Sequence, residues 1–205
     1  MLAAPEGNGH PSELIDQIVV RVVKPFLGTL GFKTKSSTFF RQNGSLTEIV
    51  SSQKSLGNNA EGSRFTINLG VYWPSVQETL RRTCATFPPK EHQCTVRRRL
   101  GSLFTNGNDF WWRVTSASDV QAIGAEVIEK IQTYALPWFE RASSASDAAK
   151  MASPVEAAVL LAQSGQRAEA ARIIEEALAR NKHAHGFLTA LAAKLDLPIS
   201  APPKL

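Results

Sequence analysis

One segment, from Arg64 to Trp73, constrains the fold more than any other part of this chain. Large apolar side chains alternate there with small or polar ones, the apolar set being Phe65, Ile67, Leu69, Val71 and Trp73. Successive side chains of a β-strand point to opposite faces, so this alternation predicts a strand with one apolar face. A sheet of this kind needs a second layer over that face, which excludes an all-helical fold.

Other segments supply the rest of the predicted sheet. Strand-like sequences occupy 38–42, 46–54, 94–100 and 109–114, and Asn43-Gly44 joins the first two as a tight-turn signal. Short connections between successive strands favour antiparallel pairing. The sequence therefore predicts an α+β fold, in which an antiparallel sheet of about five strands is covered by helices.

Helical periodicity flanks these strands. It predicts a helix from Ser12 to about Leu30, kinked or restarted at Pro25, and a second one from Ser118 to near Pro137. A capping box at 75–78 predicts a short helix over 76–83.

The composition changes near residue 143. The chain has 10 Phe, 4 Trp and 2 Tyr, and of these only Phe187 lies beyond that point. The remaining part is rich in alanine and predicts three helices, over about 153–164, 167–180 and 184–195. We expect a disordered start (1–11), an α+β domain (12–142), a linker (143–153), a helical tail (154–198) and a frayed end (199–205).

The composition also excludes several classes of protein. Hydrophobic residues make up 43% and charged residues 20%, which is ordinary for a globular protein. Two cysteines are too few for a disulfide scaffold. No apolar run is long enough for a membrane helix, and the opening residues lack the features of a secretory signal. We therefore expect a cytoplasmic protein without membrane contact.

A set of residues in the α+β part resembles domain-of-unknown-function family 4304, found in bacteria. The residues are Gly31-Phe32, Phe39-Phe40-Arg41, Gln53, Phe65 to Val71, Cys94, Arg99-Leu100-Gly101 and Asp109 to Trp112. The resemblance covers roughly 12–142. It implies one compact domain and no established activity, cofactor or catalytic residue.

The tail resembles a single tetratricopeptide-type helical hairpin. The similar residues are Leu160 to Gly165, Glu169-Ala170-Ala171 and Ala177-Leu178. A solenoid needs about three such repeats to be stable alone. The tail is therefore expected to dock on its own domain or on a second chain, and it predicts a protein partner or self-association.

The net charge of +5 comes from one segment. Residues 81–99 hold six basic side chains and one acidic side chain, and the arginines are Arg81, Arg82, Arg97, Arg98 and Arg99. A basic patch of this kind is a candidate site for a polyanion. On a strand, however, Arg98 points away from its two neighbours, so solvated arginines partly paired with carboxylates are the competing interpretation.

Trp111 and Trp112 also point to opposite faces if they lie on a strand. One is expected in the core, and the other is either covered by a helix or exposed. Trp112 joins the five arginines as a candidate partner contact.

No catalytic motif, phosphate-binding loop or paired metal-ligand motif occurs, so neither cofactor nor metal is expected. Cys84, His92 and Cys94 are too few for a typical zinc site and are interpreted as ordinary side chains. Three hypotheses follow. The first is a non-enzymatic binding or protein-interaction module, the second a nucleic-acid or polyanion binder acting through 81–99, and the third an enzyme with an unrecognised site.

Overall fold

The computed structural model describes residues 10–59, 61–82 and 86–199. The expected disordered start and frayed end lie almost wholly outside these residues. The strands are β1 (Lys33–Lys35), β2 (Thr38–Asn43), β3 (Leu46–Lys54), β4 (Ser63–Tyr72), β5 (Val96–Arg99) and β6 (Trp112–Val114). The α-helices are α1 (Pro11–Gln17), α2 (Lys24–Thr29), α3 (Pro74–Thr79), α4 (Val120–Lys130), α5 (Leu136–Ala142), α6 (Ala145–Met151), α7 (Pro154–Gln163), α8 (Arg167–Arg180) and α9 (His185–Lys194).

The predicted α+β class is confirmed. Strands β1 to β4 pair in sequence order, all antiparallel, and both β5 and β6 pair with the remaining edge of β4. Strands β2, β3 and β4 begin and end within one residue of their predicted limits. The Lys-Thr-Lys strand β1 was not predicted, because it is three residues long and exposed throughout. Strands β5 and β6 are shorter than the segments predicted for them.

The apolar face of β4 lies under a layer of helices. Phe65, Ile67, Leu69 and Val71 are all at most 1% exposed. The first helical segment (11–29) consists of α1, a π-helical turn and α2. It contacts this strand through α1, and α4 packs against it. The expected two-layer arrangement of sheet and helices is therefore the core of the domain.

Both long helices continue through a proline, where the sequence predicts a kink or an end. A wider, π-helical turn precedes each proline, at Ile18–Val23 before Pro25 and at Ile131–Ala135 before Pro137. Proline lacks an N–H and its ring clashes with the carbonyl four residues earlier. A π turn changes the hydrogen-bond register at that place. The second helix consequently continues to Ala142.

The opposite face of the sheet is only partly covered. The ring of Phe87 packs edge-on against Phe40 at 5.3 Å, and Cys94 lies directly over Gly70. A Cβ atom at Gly70 would lie 2.6 Å from the Cys94 sulfur, so glycine is what allows this close approach. The segment 86–94 therefore covers the half of this face nearest β2 and β3.

The helical tail packs on the α+β domain. Its apolar residues belong to the same continuous core as the sheet. Around α3, Ser75 donates to Gln163 at 2.9 Å, and Lys194 donates to the carbonyl of Thr79 at 2.7 Å. The expected linker 143–153 includes helix α6, which contacts both α5 and α7. The tail helices themselves match their predicted spans closely.

Two glycines within α-helices test how tightly the helix layer is packed. A Cβ atom at Gly124 of α4 would lie 2.5 Å from a methyl carbon of Val22, whereas nothing lies within 4 Å of one at Gly28 of α2. We expect Gly124→Ala to lower the free energy of unfolding by about 1–3 kcal/mol, because α4 must move away from the helical segment that holds Val22. Gly28→Ala should raise it by about 0.5–1 kcal/mol, since alanine is the better helix former.

Urea denaturation of the two variants measures both effects. Equal effects of the same sign would contradict a close contact between α4 and the first helical segment.

Candidate functional site

The three consecutive arginines of the predicted basic segment lie on different faces of the sheet. Arg97 and Arg99 pair with outward-facing positions of β4, whereas Arg98 lies opposite Leu69, whose side chain faces the helix layer. The expected alternation of the three consecutive arginines is therefore present. They do not form one patch.

Carboxylates neutralise much of this segment. Ion pairs join Arg82 to Glu156, Arg97 to Glu91 and Arg99 to Asp109. The pair with Glu91 is bidentate, with N–O distances of 2.7 and 3.1 Å, and it raises the pKa of Arg97. Arg81 and Arg98 are exposed, and neither side chain has a hydrogen bond or an ion pair within the described parts of the chain.

Trp112 is not available to a partner. Its side chain is 3% exposed, stacks on Phe65 at 5.5 Å and donates from Nε1 to Glu126. The register of β6 places Trp112 directly opposite Phe65, whose side chain faces the helix layer. The assignment of Trp112 to a contact surface is therefore wrong, because it belongs to the core.

Trp111 lies on the outer side instead, where it is half-buried. The Arg99 and Arg64 guanidinium carbons lie 5.2 and 5.7 Å from its ring centroid. Asp109 accepts a hydrogen bond from the indole Nε1 at 3.2 Å and also pairs with Arg99. The Arg99 guanidinium lowers the pKa of that carboxyl.

A small polar cavity of about 160 Å³, here called the junction cavity, lies between the α+β domain and the tail. Arg82, His92, Cys94 and Glu156 are among its lining residues. Arg82 donates to Glu156 at 2.7 Å, and Glu156 also accepts from Ser153 at 2.7 Å. The charged side chains of the cavity therefore pair with each other and hold α7 against Arg82, which follows α3. Cys84, the other cysteine considered as a ligand, lies outside the described residues.

A larger groove of about 620 Å³ lies within the tail, between α6, α7, α8 and α9. Apolar side chains line most of it, including Val155, Ile173, Ala177 and Phe187. Phe187 is 50% exposed. Glu176 and Arg180 are the charged residues of the lining.

Of the residues around these two surfaces, Arg99 was a candidate from the sequence, whereas Phe187 and Arg64 were not. The signal for Phe187 is its position as the one aromatic residue in an alanine-rich tail. The signal for Arg64 is its place on the polar side of the alternating strand.

No group of three or more His, Cys, Asp or Glu side chains among the described residues could hold a metal ion. No helix in the same part of the chain is long and apolar enough to cross a membrane.

The fold defines the protein as an α+β domain with a mixed helical and loop covering and a docked helical tail. The family model described as "Domain of unknown function (DUF4304)" matches residues 23–141. The chain belongs to this family. The match confirms the resemblance seen in the sequence, although it begins within the first helical segment and not at its start. No curated protein and no solved structure matches the chain.

The ion pair at the junction cavity yields a prediction about tail docking. Glu156→Ala removes the partner of Arg82 and should lower the free energy of unfolding of the tail by about 1–2 kcal/mol, because Arg82 is half-exposed and partly solvated. Hydrogen exchange of α7 measures this, and its amides should exchange faster. Glu169→Ala, which removes an exposed carboxylate of α8, is the control and should leave α7 unchanged. Unchanged protection of α7 in Glu156→Ala would contradict the assigned contact.

The pKa of Asp109 gives a second prediction. Because Arg99 lowers this pKa in the folded protein, the associated stability is fully present above the unfolded pKa and is lost as the pH falls through the folded pKa. Arg99→Gln should return the pKa of Asp109 toward its ordinary value of 3.8. Carbon NMR of the side-chain carboxyl measures the titration. The pKa of Asp147, lowered by Lys150, is the internal control and should not move.

Proposed function

We propose that this chain is a non-enzymatic interaction module, and that the groove of its helical tail binds an apolar segment of a protein partner. The observation that carries this proposal is the groove itself, with Phe187 half-exposed in its lining. A large aromatic side chain in an open apolar groove is a typical feature of a binding surface.

The groove is not needed for docking the tail. The polar contacts that hold the tail to the sheet domain come from Glu156, Gln163 and Lys194. None of these three residues lines the groove. Its apolar lining is therefore free to serve an external ligand.

The lining indicates the chemistry of the ligand. Small residues such as Ala152 and Ala177 let a backbone approach closely, while Ile173 and Phe187 offer apolar contacts. A helix that inserts apolar residues spaced three or four positions apart fits a groove of this kind. We therefore propose a short amphipathic helix of another protein as the ligand, and self-association of the tail becomes an outcome of the test.

The alternative of an enzyme has less support. Several polar residues of the junction cavity are already engaged in structural contacts, since Arg82 pairs with Glu156 and Gln77 donates to Thr95 at 3.0 Å. The resolved pKa shifts belong to surface ion pairs such as Asp147 with Lys150. Binding, and not group transfer, is what these surfaces favour.

Phe187→Glu tests the groove. A library of displayed helical peptides is selected on the wild-type chain, and the affinities of the selected peptides are measured by fluorescence polarisation. The glutamate should weaken binding by about tenfold or more, because it places a charge in the apolar lining. Leu56→Glu is the matched control, since Leu56 is a fully exposed apolar residue far from the tail in sequence, and it should have no effect.

Three outcomes would overturn the proposal. The library yields no binder, or the selected peptides bind Phe187→Glu as well as the wild type. In the third outcome, sedimentation shows a dimer of the free chain that Phe187→Glu dissociates, and the groove is then a contact between copies of this chain.

A further inference from the structure

The uncovered half of the outer sheet face carries a row of arginines around one tryptophan. Before Gly70, the outward positions of β4 are the exposed Arg64, the fully buried Thr66 and the half-buried Asn68. The register places Arg113 opposite Arg64 and Arg99 opposite Asn68. Trp111 is two residues before Arg113, and Thr66 donates a hydrogen bond to the neighbouring carbonyl of Phe110 at 3.1 Å. The indole therefore lies between two arginine positions. We call Arg64, Arg99, Trp111 and Arg113 the Arg–Trp surface.

The positive charge of this surface exceeds what its own contacts use. Arg99 pairs with Asp109, and among the described residues the Arg64 side chain reaches only the Ser55 hydroxyl, at 3.3 Å, besides Trp111. The exposed side chain of Arg113 has no hydrogen bond or ion pair with any residue of the described ranges. The three arginines of the surface and the carboxylate of Asp109 therefore give a net charge of about +2.

Two of these arginines lie where their charges would destabilise the sheet if no ligand were bound. Arg64 and Arg113 lie directly opposite each other on neighbouring antiparallel strands. Like charges in that position destabilise a sheet. An anion between them removes the repulsion, so their arrangement fits a bound phosphate better than it fits an empty surface.

We propose that the Arg–Trp surface binds single-stranded nucleic acid. A base stacks on the indole of Trp111 in the place of the Arg64 guanidinium, and Arg64 and Arg113 bind phosphate groups. Aromatic side chains on an open sheet stack unpaired bases, and arginines beside them hold the backbone. A duplex offers its phosphates but keeps its bases stacked, so it cannot use Trp111 in this way. Of the arginines in the basic segment, only Arg99 belongs to this surface, and the site is separate from the tail groove.

The carboxylate of Asp109 should weaken the binding of nucleic acid, and its removal therefore tests the proposal. Its carboxylate is half-exposed beside Arg99 and repels a phosphate at that end of the row. An asparagine keeps an oxygen that can accept from both Trp111 and Arg99 but removes the charge. Asp109→Asn is therefore expected to tighten binding, an effect that a purely structural role of the cluster would not produce.

The experiment measures fluorescence anisotropy of a labelled oligothymidine of about 15 nucleotides. The full chain should bind it, and the affinity should fall steeply between about 50 mM and about 200 mM salt. Arg113→Glu and Trp111→Ala should each weaken binding by about tenfold, and Trp111→Phe should restore most of the loss by keeping an aromatic ring. Arg21→Glu is the matched control, because Arg21 is an exposed arginine of the first helical segment, and it should change affinity by less than about twofold. Circular dichroism confirms that each variant is folded.

Several results would overturn the proposal. One is the absence of binding at low salt, and another is equal weakening by Arg21→Glu and Arg113→Glu. A third is binding of a duplex of the same length as tightly as the single strand, without any effect of Trp111→Ala. Tight binding of thymidine monophosphate with no gain from the longer oligonucleotide would assign the surface to a free nucleotide instead.

Discussion

Strand β4 contacts every layer of the α+β domain, and its two faces determine where the other parts lie. Its inward face is fully buried beneath helices, and its two edges pair with three other strands. Its outward face is divided at about its middle. Gly70 has no side chain and lets Cys94 and the segment around it settle on the sheet. In the other half Arg64 is exposed and Asn68 is half-buried, whereas Thr66 between them is fully buried. The same strand therefore carries both the covered half and the surface proposed to bind nucleic acid.

A second set of contacts joins the helical tail to this domain. The short helix α3 follows β4 directly, and its residues hold α7 and α9 through hydrogen bonds and the nearby pair of Arg82 with Glu156. An arginine that sequence analysis assigns to a basic patch thus has a structural partner from the tail. Since one side of the tail is used in this way, a single helical hairpin can be stable without further repeats. Its groove remains lined by alanines and Phe187.

The two proposed surfaces differ in their physics. The tail groove is apolar and should bind by burial of hydrophobic area, which depends little on salt. The Arg–Trp surface combines guanidinium groups with one indole and should depend strongly on salt. One chain with both surfaces could bring a protein and a nucleic acid together. This arrangement would unite the first two hypotheses drawn from the sequence, which identified the tail and Arg99 but neither Phe187 nor Trp111 as a binding residue.

Local sequence patterns were enough to predict several of the helices and strands. Alternation predicted β4, the Asn43-Gly44 turn predicted the hairpin of β2 and β3, and caps and glycines predicted the tail helices, because each depends on backbone preferences within a few residues. The two proline-containing helices were predicted to kink or end because proline usually breaks a helix. The π turn that precedes each proline has no simple sequence pattern, so the sequence did not predict it. The tertiary structure alone decided which tryptophan is buried. Alternation shows that Trp111 and Trp112 face opposite ways, but only the pairing of Trp112 with Phe65 across two strands shows which way is inward. The same register joins Arg64, Arg99 and Arg113, which are distant in sequence, because a sheet assembles its surface from several strands.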